Sequence, residues 1–175
     1  MSKTISGGFS DYKTGIVSPA LRAIVEYWDK TRADRMVPAW ADMSPSELAP
    51  YLKLLWFWNY DRETGEFTAR LASNRAMRGY QKSFRGTPLR ELHPPALFEL
   101  AQAHMTKVVS DPAAYYCSGK LFKVDTQIVE GERIMLPLAS DHRNGDTILG
   151  ATDFPMRPAE GPIELLVGNI SWFSL

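Results

Sequence analysis

The run LLWFWNY, residues 54–60, constrains this chain more than any other stretch. It is an almost continuous apolar and aromatic segment followed by the turn-forming DRETGE, and it predicts a central β-strand. Successive strand side chains point to opposite faces, so Trp56 and Trp58 share one face and Phe57 takes the other. A sheet built around such a strand is apolar on both sides. Soluble monomers rarely expose large apolar patches, so both faces need a cover.

The sequence offers candidates for those covers. Ser18-Pro19 forms an N-cap followed by a first-turn proline, and Leu21, Ile24, Val25 and Trp28 follow at helical spacing, predicting a helix to about Arg32. Ser44-Pro45-Ser46-Glu47 has the form of a capping box opening a short helix that Pro50 limits. FTARLA, residues 67–72, alternates and pairs with the aromatic run as a hairpin. Ser73 is placed to cap a helix over residues 74–80. Pro94-Pro95 opens a longer helix whose stripe is Leu97, Leu100, Ala101, Met105 and Val108, with His104 inside it, and Asp111-Pro112 ends it. The remainder is strand-rich. Phe122, Val124 and Ile128 alternate, Glu130-Gly131 suggests a turn, RIMLPLA carries a Pro137 suited to an edge or bulge, and Asn144-Gly145 suggests a tight hairpin turn before TILGATDF. Residues 1–17 are polar and glycine-broken, and are expected to be a flexible arm. Residues 18–157 form the domain, and residues 158–175 an apolar tail that itself needs burial.

Bulk composition narrows the function. The chain has 175 residues, 45% of them apolar, with 20 basic and 20 acidic side chains. A balanced charge argues against a domain-wide nucleic-acid footprint. The single cysteine, Cys117, can form no intrachain disulfide, and no segment has the length and apolarity of a signal peptide or membrane span. A cytoplasmic protein is the expectation.

Three segments in order carry a resemblance. YWDKTRADRMVPAWADMSPSEL, FTARLASNRAMRGYQKSFRGTPLREL and ERIMLPLASDHRNGDTILG are similar to successive motifs of a bacterial PAS-like family first catalogued as a domain of unknown function. The chain departs from it at Ala72-Ser73-Asn74, where the family shows Gly-Thr. The resemblance covers about residues 21–154. It implies an α/β (α+β) fold, a five-stranded antiparallel sheet with helices on one face and an added N-terminal helix. It implies a sensory or interaction role, with small ligands seated between sheet and helices. Asn74, Tyr80, His104 and Tyr116 are then the side chains expected to meet a ligand. No cofactor is indicated. With no output domain in view, a signal would pass through association, as a homodimer or with an unidentified partner protein. The N-terminal helix is expected to cover the second sheet face, within the subunit or across a dimer.

Other chemistry has weaker support. Arg75, Arg78 and Lys82 share one helix face, with Arg85 beyond. They form either the wet side of a helix packing through Ala76, Met77 and Tyr80, or a contact for a nucleotide or RNA. No Walker-type run or GxGxxG accompanies them. His104 suits a core-edge histidine bonded to a backbone carbonyl, or a ligand to a buried molecule or haem iron. His93 is expected at a helix start and His142 exposed beside the Asn-Gly turn. No metal-ligand spacing is present. The reactive-cysteine motif of flavin photosensors is missing around Cys117. No hydrolase elbow, HExxH or kinase signature appears, so the chain reads as non-enzymatic, with a small enzyme in the same pocket as the remaining alternative.

Overall fold

A computed structural model of the chain describes residues 9–73, 84–124, 127–154, 163–166 and 168–175. Helix α1 spans Phe9–Gly15 and α2 spans Pro19–Arg32. Two 3-10 turns, Trp40–Asp42 and Ala49–Tyr51, flank the short α3, Pro45–Leu48. Strands β1, Leu55–Asp61, and β2, Glu66–Ala72, precede α4, Leu89–Leu92, and α5, Pro95–Ser110. Strands β3, Ala113–Val124, β4, Gln127–Leu138, β5, Thr147–Asp153, β6, Ile163–Leu165, and β7, Asn169–Ser174, complete the chain.

The sheet is antiparallel, in the order β2-β1-β5-β4-β3-β6, with β7 also on β3. Strands β6 and β7 run in the same direction beside successive parts of β3, Phe122–Val124 and Ala113–Ser118. The apolar tail is therefore an interrupted edge strand of its own subunit's sheet. The expected five strands are present, and the tail adds a sixth position outside β3.

Strand alternation divides the core into two layers, as the aromatic run required. On the outer face Phe57, Tyr116, Ile134, Leu136 and Leu149 meet Leu21, Ile24, Val25 and Trp28 of α2. On the inner face Trp58, Tyr115, Met135, Ile148 and Trp172 meet Leu89 of α4 and Met105 and Val108 of α5. Helices thus lie on both faces. The cover over Phe57 comes from the same chain, so no second subunit is needed for it. Each such large apolar side chain contributes roughly 1.5–3 kcal/mol on burial, an upper bound because unfolded chains already bury part of their surface.

Helix α2 begins where the sequence places it. Ser18 Oγ accepts the Leu21 amide at 3.2 Å, and Pro19 occupies the first turn. The expectation of a free arm through residue 17 is corrected over its described part. Phe9–Gly15 is helical, and Tyr12 and Ile16 are fully buried against the outer layer. Tyr12 donates its hydroxyl to the Tyr115 carbonyl at 3.2 Å.

Four local expectations are also revised. Ser44 makes no side-chain cap to α3; its amide donates to Tyr27 Oη, and its hydroxyl pairs with that of Ser46. Glu130-Gly131 is no turn but lies inside β4, with Gly131 opposite Gly119. A Cβ at Gly131 would strike the Asp153 carbonyl and Phe154. Pro137 sits in a central strand, beyond the last β3 pair, Tyr115–Met135. With no β3 residue paired opposite it, its carbonyl instead accepts the Trp28 indole N–H at 3.0 Å. The connection from β4 to β5 is a longer loop over residues 139–146 and not a tight Asn-Gly turn. Asp141 accepts the amides of Arg143 and Asn144, and Gly145 is pressed against Val109, where a Cβ would collide.

Candidate functional site

The inner face carries polar groups as well as core. On β3 the pleat turns Tyr115 and Cys117 toward α5, on β4 it does the same for Arg133, and on β5 for Thr152. Register places Arg133 between Cys117 on one side and Thr152 on the other. Arg133 donates Nε to Thr152 Oγ1 at 3.3 Å, and Trp56 donates its indole N–H to the same oxygen at 3.0 Å. The indole lies flat over β5 because Gly150 has no side chain; a Cβ there would overlap the ring.

The helices supply the opposite wall. His104, on α5, is tilted against Tyr115 with ring centroids 5.5 Å apart and stands edge-on to Trp172 at 5.8 Å. Tyr115 and Trp172 meet edge to face at 5.0 Å, and Lys107, one turn beyond His104, places its ammonium 4.5 Å from the Trp172 ring centre. His93 occupies the junction of α4 and α5, at the helix start the sequence suggests.

Burial and the positive charges govern the protonation of this layer. Burial, with the Arg133 charge as second cause, pushes His93 down to about 4. His104 is lowered by burial, Arg133 and Lys107, in that order. Burial raises the Tyr115 hydroxyl, and the neighbouring Cys117 acts in the same direction. Near neutral pH the layer thus presents a guanidinium, neutral imidazoles and a protonated phenol. Among the described residues no group of three or more His, Cys, Asp or Glu side chains is gathered to hold a metal.

The side chains picked from the sequence separate. His104 lies on the inner face as expected. Tyr116 does not join it: strand alternation sends it to the outer face, where it donates to Glu132 Oε1. That glutamate also accepts the amides of Val17 at 2.9 Å and Ser18 at 2.5 Å, and Ser18 donates its hydroxyl to Asp153 at 2.7 Å. Tyr116 is therefore part of the seam that holds α2 to the sheet, and one enclosed site cannot use both it and His104. Asn74, Tyr80, Arg75, Arg78 and Lys82, with the helix expected over 74–80, lie outside the described residues. Arg85 is exposed, beside the left-handed Gly86 and the buried Phe84 that packs edge-on to Trp58. His142 is half-buried, not exposed, with Nδ1 3.6 Å from Asp42 and Nε2 3.3 Å from Arg35. Asp42 accepts the Ala39 amide, which lowers its pKa, and Arg35 and His142 act in the same direction.

Arg133, Thr152, Tyr115 and Trp172 were missed. The alternation of RIMLPLA held the signal, since Ile134, Leu136 and Leu138 share one face and Arg133 and Met135 the other.

The model of the PAS domain family matches residues 16–153 of this sequence. The chain belongs to that family. The match begins beside the cap of α2 and ends with β5, so the edge strand formed by the tail lies beyond it. No curated protein and no solved structure matches the chain. A PAS domain is in general a sensory or regulatory module, and its inner layer of sheet and helices is the region already described. Among the described residues no helix is long and apolar enough to cross a membrane.

Proposed function

We propose that this PAS domain is a non-enzymatic sensory module that takes up a small molecule between the inner sheet face and α4–α5, and signals by association with another protein or a second copy. The observation that carries this reading is the convergence of Arg133, Thr152, Tyr115 and His104, from four separate elements, on an otherwise apolar layer. Apolar walls with a few placed polar groups are the common form of a small-molecule site. The non-enzymatic part rests on the sequence, which carries no hydrolase, metalloprotease or kinase signature. Association is supported by the exposed Leu71 on the edge strand β2, near the partly exposed Trp40 that Arg70 stacks upon at 4.1 Å.

The test is a fragment screen by two-dimensional NMR on the full chain. Binders are expected to shift the Trp172 indole and the amides of α5, β3 and β4. A screen that leaves all of these unmoved would remove the small-molecule reading. Light scattering with and without a binder reads the output step, where a ligand-dependent change in mass or in capture of a partner is expected.

A further inference from the structure

We propose that the inner face binds a small organic carboxylate, with its carboxyl group held by the guanidinium of Arg133 and its apolar body against Tyr115 and Trp172. This inference rests on the ligand-binding reading above and adds the chemical class.

Arg133 is half-buried in the middle of the sheet, and among the described residues only its Nε is engaged, on Thr152 Oγ1. Its two terminal nitrogens have no protein acceptor among the described residues. A guanidinium withdrawn from water this far is costly unless something balances it. Among the described residues this layer supplies no carboxylate to balance it. Among the described residues, the titratable groups that sense Arg133 are His93 between α4 and α5, His104 on α5 and Tyr115 on β3; Cys117 is its β3 pairing partner, and Lys107 lies one turn beyond His104. None is a carboxylate. Two carboxylates stand close in the chain, Glu132 beside Arg133 and Asp153 beside Thr152. The pleat turns both to the other face, where they hold the start of α2. The fold thus places a cation inward and its sequence-adjacent acids outward.

The free edge of a guanidinium is a two-pronged donor matched to a carboxylate. The rings of Tyr115, His104 and Trp172, in mutual contact at 5.0–5.8 Å, offer surface for an apolar or aromatic body. Inorganic phosphate matches the charge but gives these rings nothing to cover.

The experiment titrates the full chain by calorimetry with monocarboxylates from acetate to indole-3-acetate, with the neutral amides of the same acids, and with inorganic phosphate. The Trp172 indole resonance reports occupancy. At least one carboxylate with an apolar body is expected to bind. Its affinity should fall at least tenfold in Arg133→Gln and by a smaller factor in Arg133→Lys, which keeps the charge but loses the fork. Thermal unfolding and far-ultraviolet circular dichroism check that each variant is folded. If Arg133→Gln does not fold, Arg133→Lys and the acid-to-amide comparison on the native chain decide. Carboxylate binding equal to that of the amide, or undiminished in a folded Arg133 variant, overturns the inference, as does binding of phosphate alone. Amides that shift Trp172 where acids do not would sink the carboxylate class and leave the ligand-binding reading standing. Silence from acids, amides and the fragment screen together would remove both.

Discussion

Gly150 shows how one missing side chain sets the inner layer. The Trp56 indole lies over it and reaches Thr152, which also receives Arg133. Gly150→Ala is expected to destabilise the protein by about 1–3 kcal/mol, the usual cost of overpacking, read as a lowered urea midpoint with unchanged slope. Combining it with Trp56→Leu should recover part of that loss, because the clash and its partner are removed together. A Gly150→Ala chain as stable as the wild type would show that the indole has another resting place. His93 gives the pH counterpart. Its folded value of about 4 lies below the unfolded value of about 6.5. The unfolded chain therefore binds the proton first as pH falls, and stability is lost across that window while being fully present above it. His104 moves in the same direction. His93→Gln should remove roughly 1–2 kcal/mol of the stability difference between pH 7 and pH 5, a figure reduced for partial solvent screening. Denaturant melts of both proteins at the two pH values measure it. Parallel pH dependence in the variant would mean that His93 takes up its proton over the same pH range in the folded and unfolded chains.

At the scale of elements, what was legible followed from local rules. Helix α2 was readable in full because its cap, its proline and its apolar spacing lie within one segment, and the structure satisfies all three. Helix α1 was not, because a seven-residue stretch ending in glycine has little intrinsic helicity; burial of Tyr12 against β3 and the outer layer accounts for it. Gly131 and Pro137 look like turn and edge signals when read singly, yet one makes room for Asp153 and Phe154 and the other outlasts its neighbouring strand. The site divided in the same way. His104 stood out as a polar residue inside an apolar stripe, whereas nothing local singles out Arg133, whose place on the inner face follows from the pairing of β3, β4 and β5. The seam of Ser18, Glu132 and Asp153 makes a prediction at this scale. Ser18→Ala removes a cap and the hydrogen bond to Asp153, and should cost about 1 kcal/mol. Hydrogen exchange is expected to quicken first in the opening turn of α2. Exchange that rises uniformly, or not at all, would mean the seam does not control that helix.

For the whole molecule, the tail converts an edge into an interior. Strand β3 has β4 on one side and, on the other, β6 and β7, so its long second edge is covered by its own chain. The same tail contributes to both layers: Phe173 packs outward with Tyr12 at 4.7 Å, and Ile170 and Trp172 pack inward. An open strand edge flanked by uncovered apolar side chains is a template for pairing with another chain. Removing residues 163–175 is therefore expected to produce self-association at micromolar concentration, seen as added mass by light scattering, together with a lower thermal midpoint. Trp172→Ala separates the two contributions. It keeps the backbone ladder but empties the inner corner beside His104, and should cost about 3–5 kcal/mol with the protein still the same mass as wild type. If the truncated chain stays at the native mass and midpoint, the tail is an accessory to the sheet. If Trp172→Ala alone changes the mass, the indole rather than the strand pairing protects that edge.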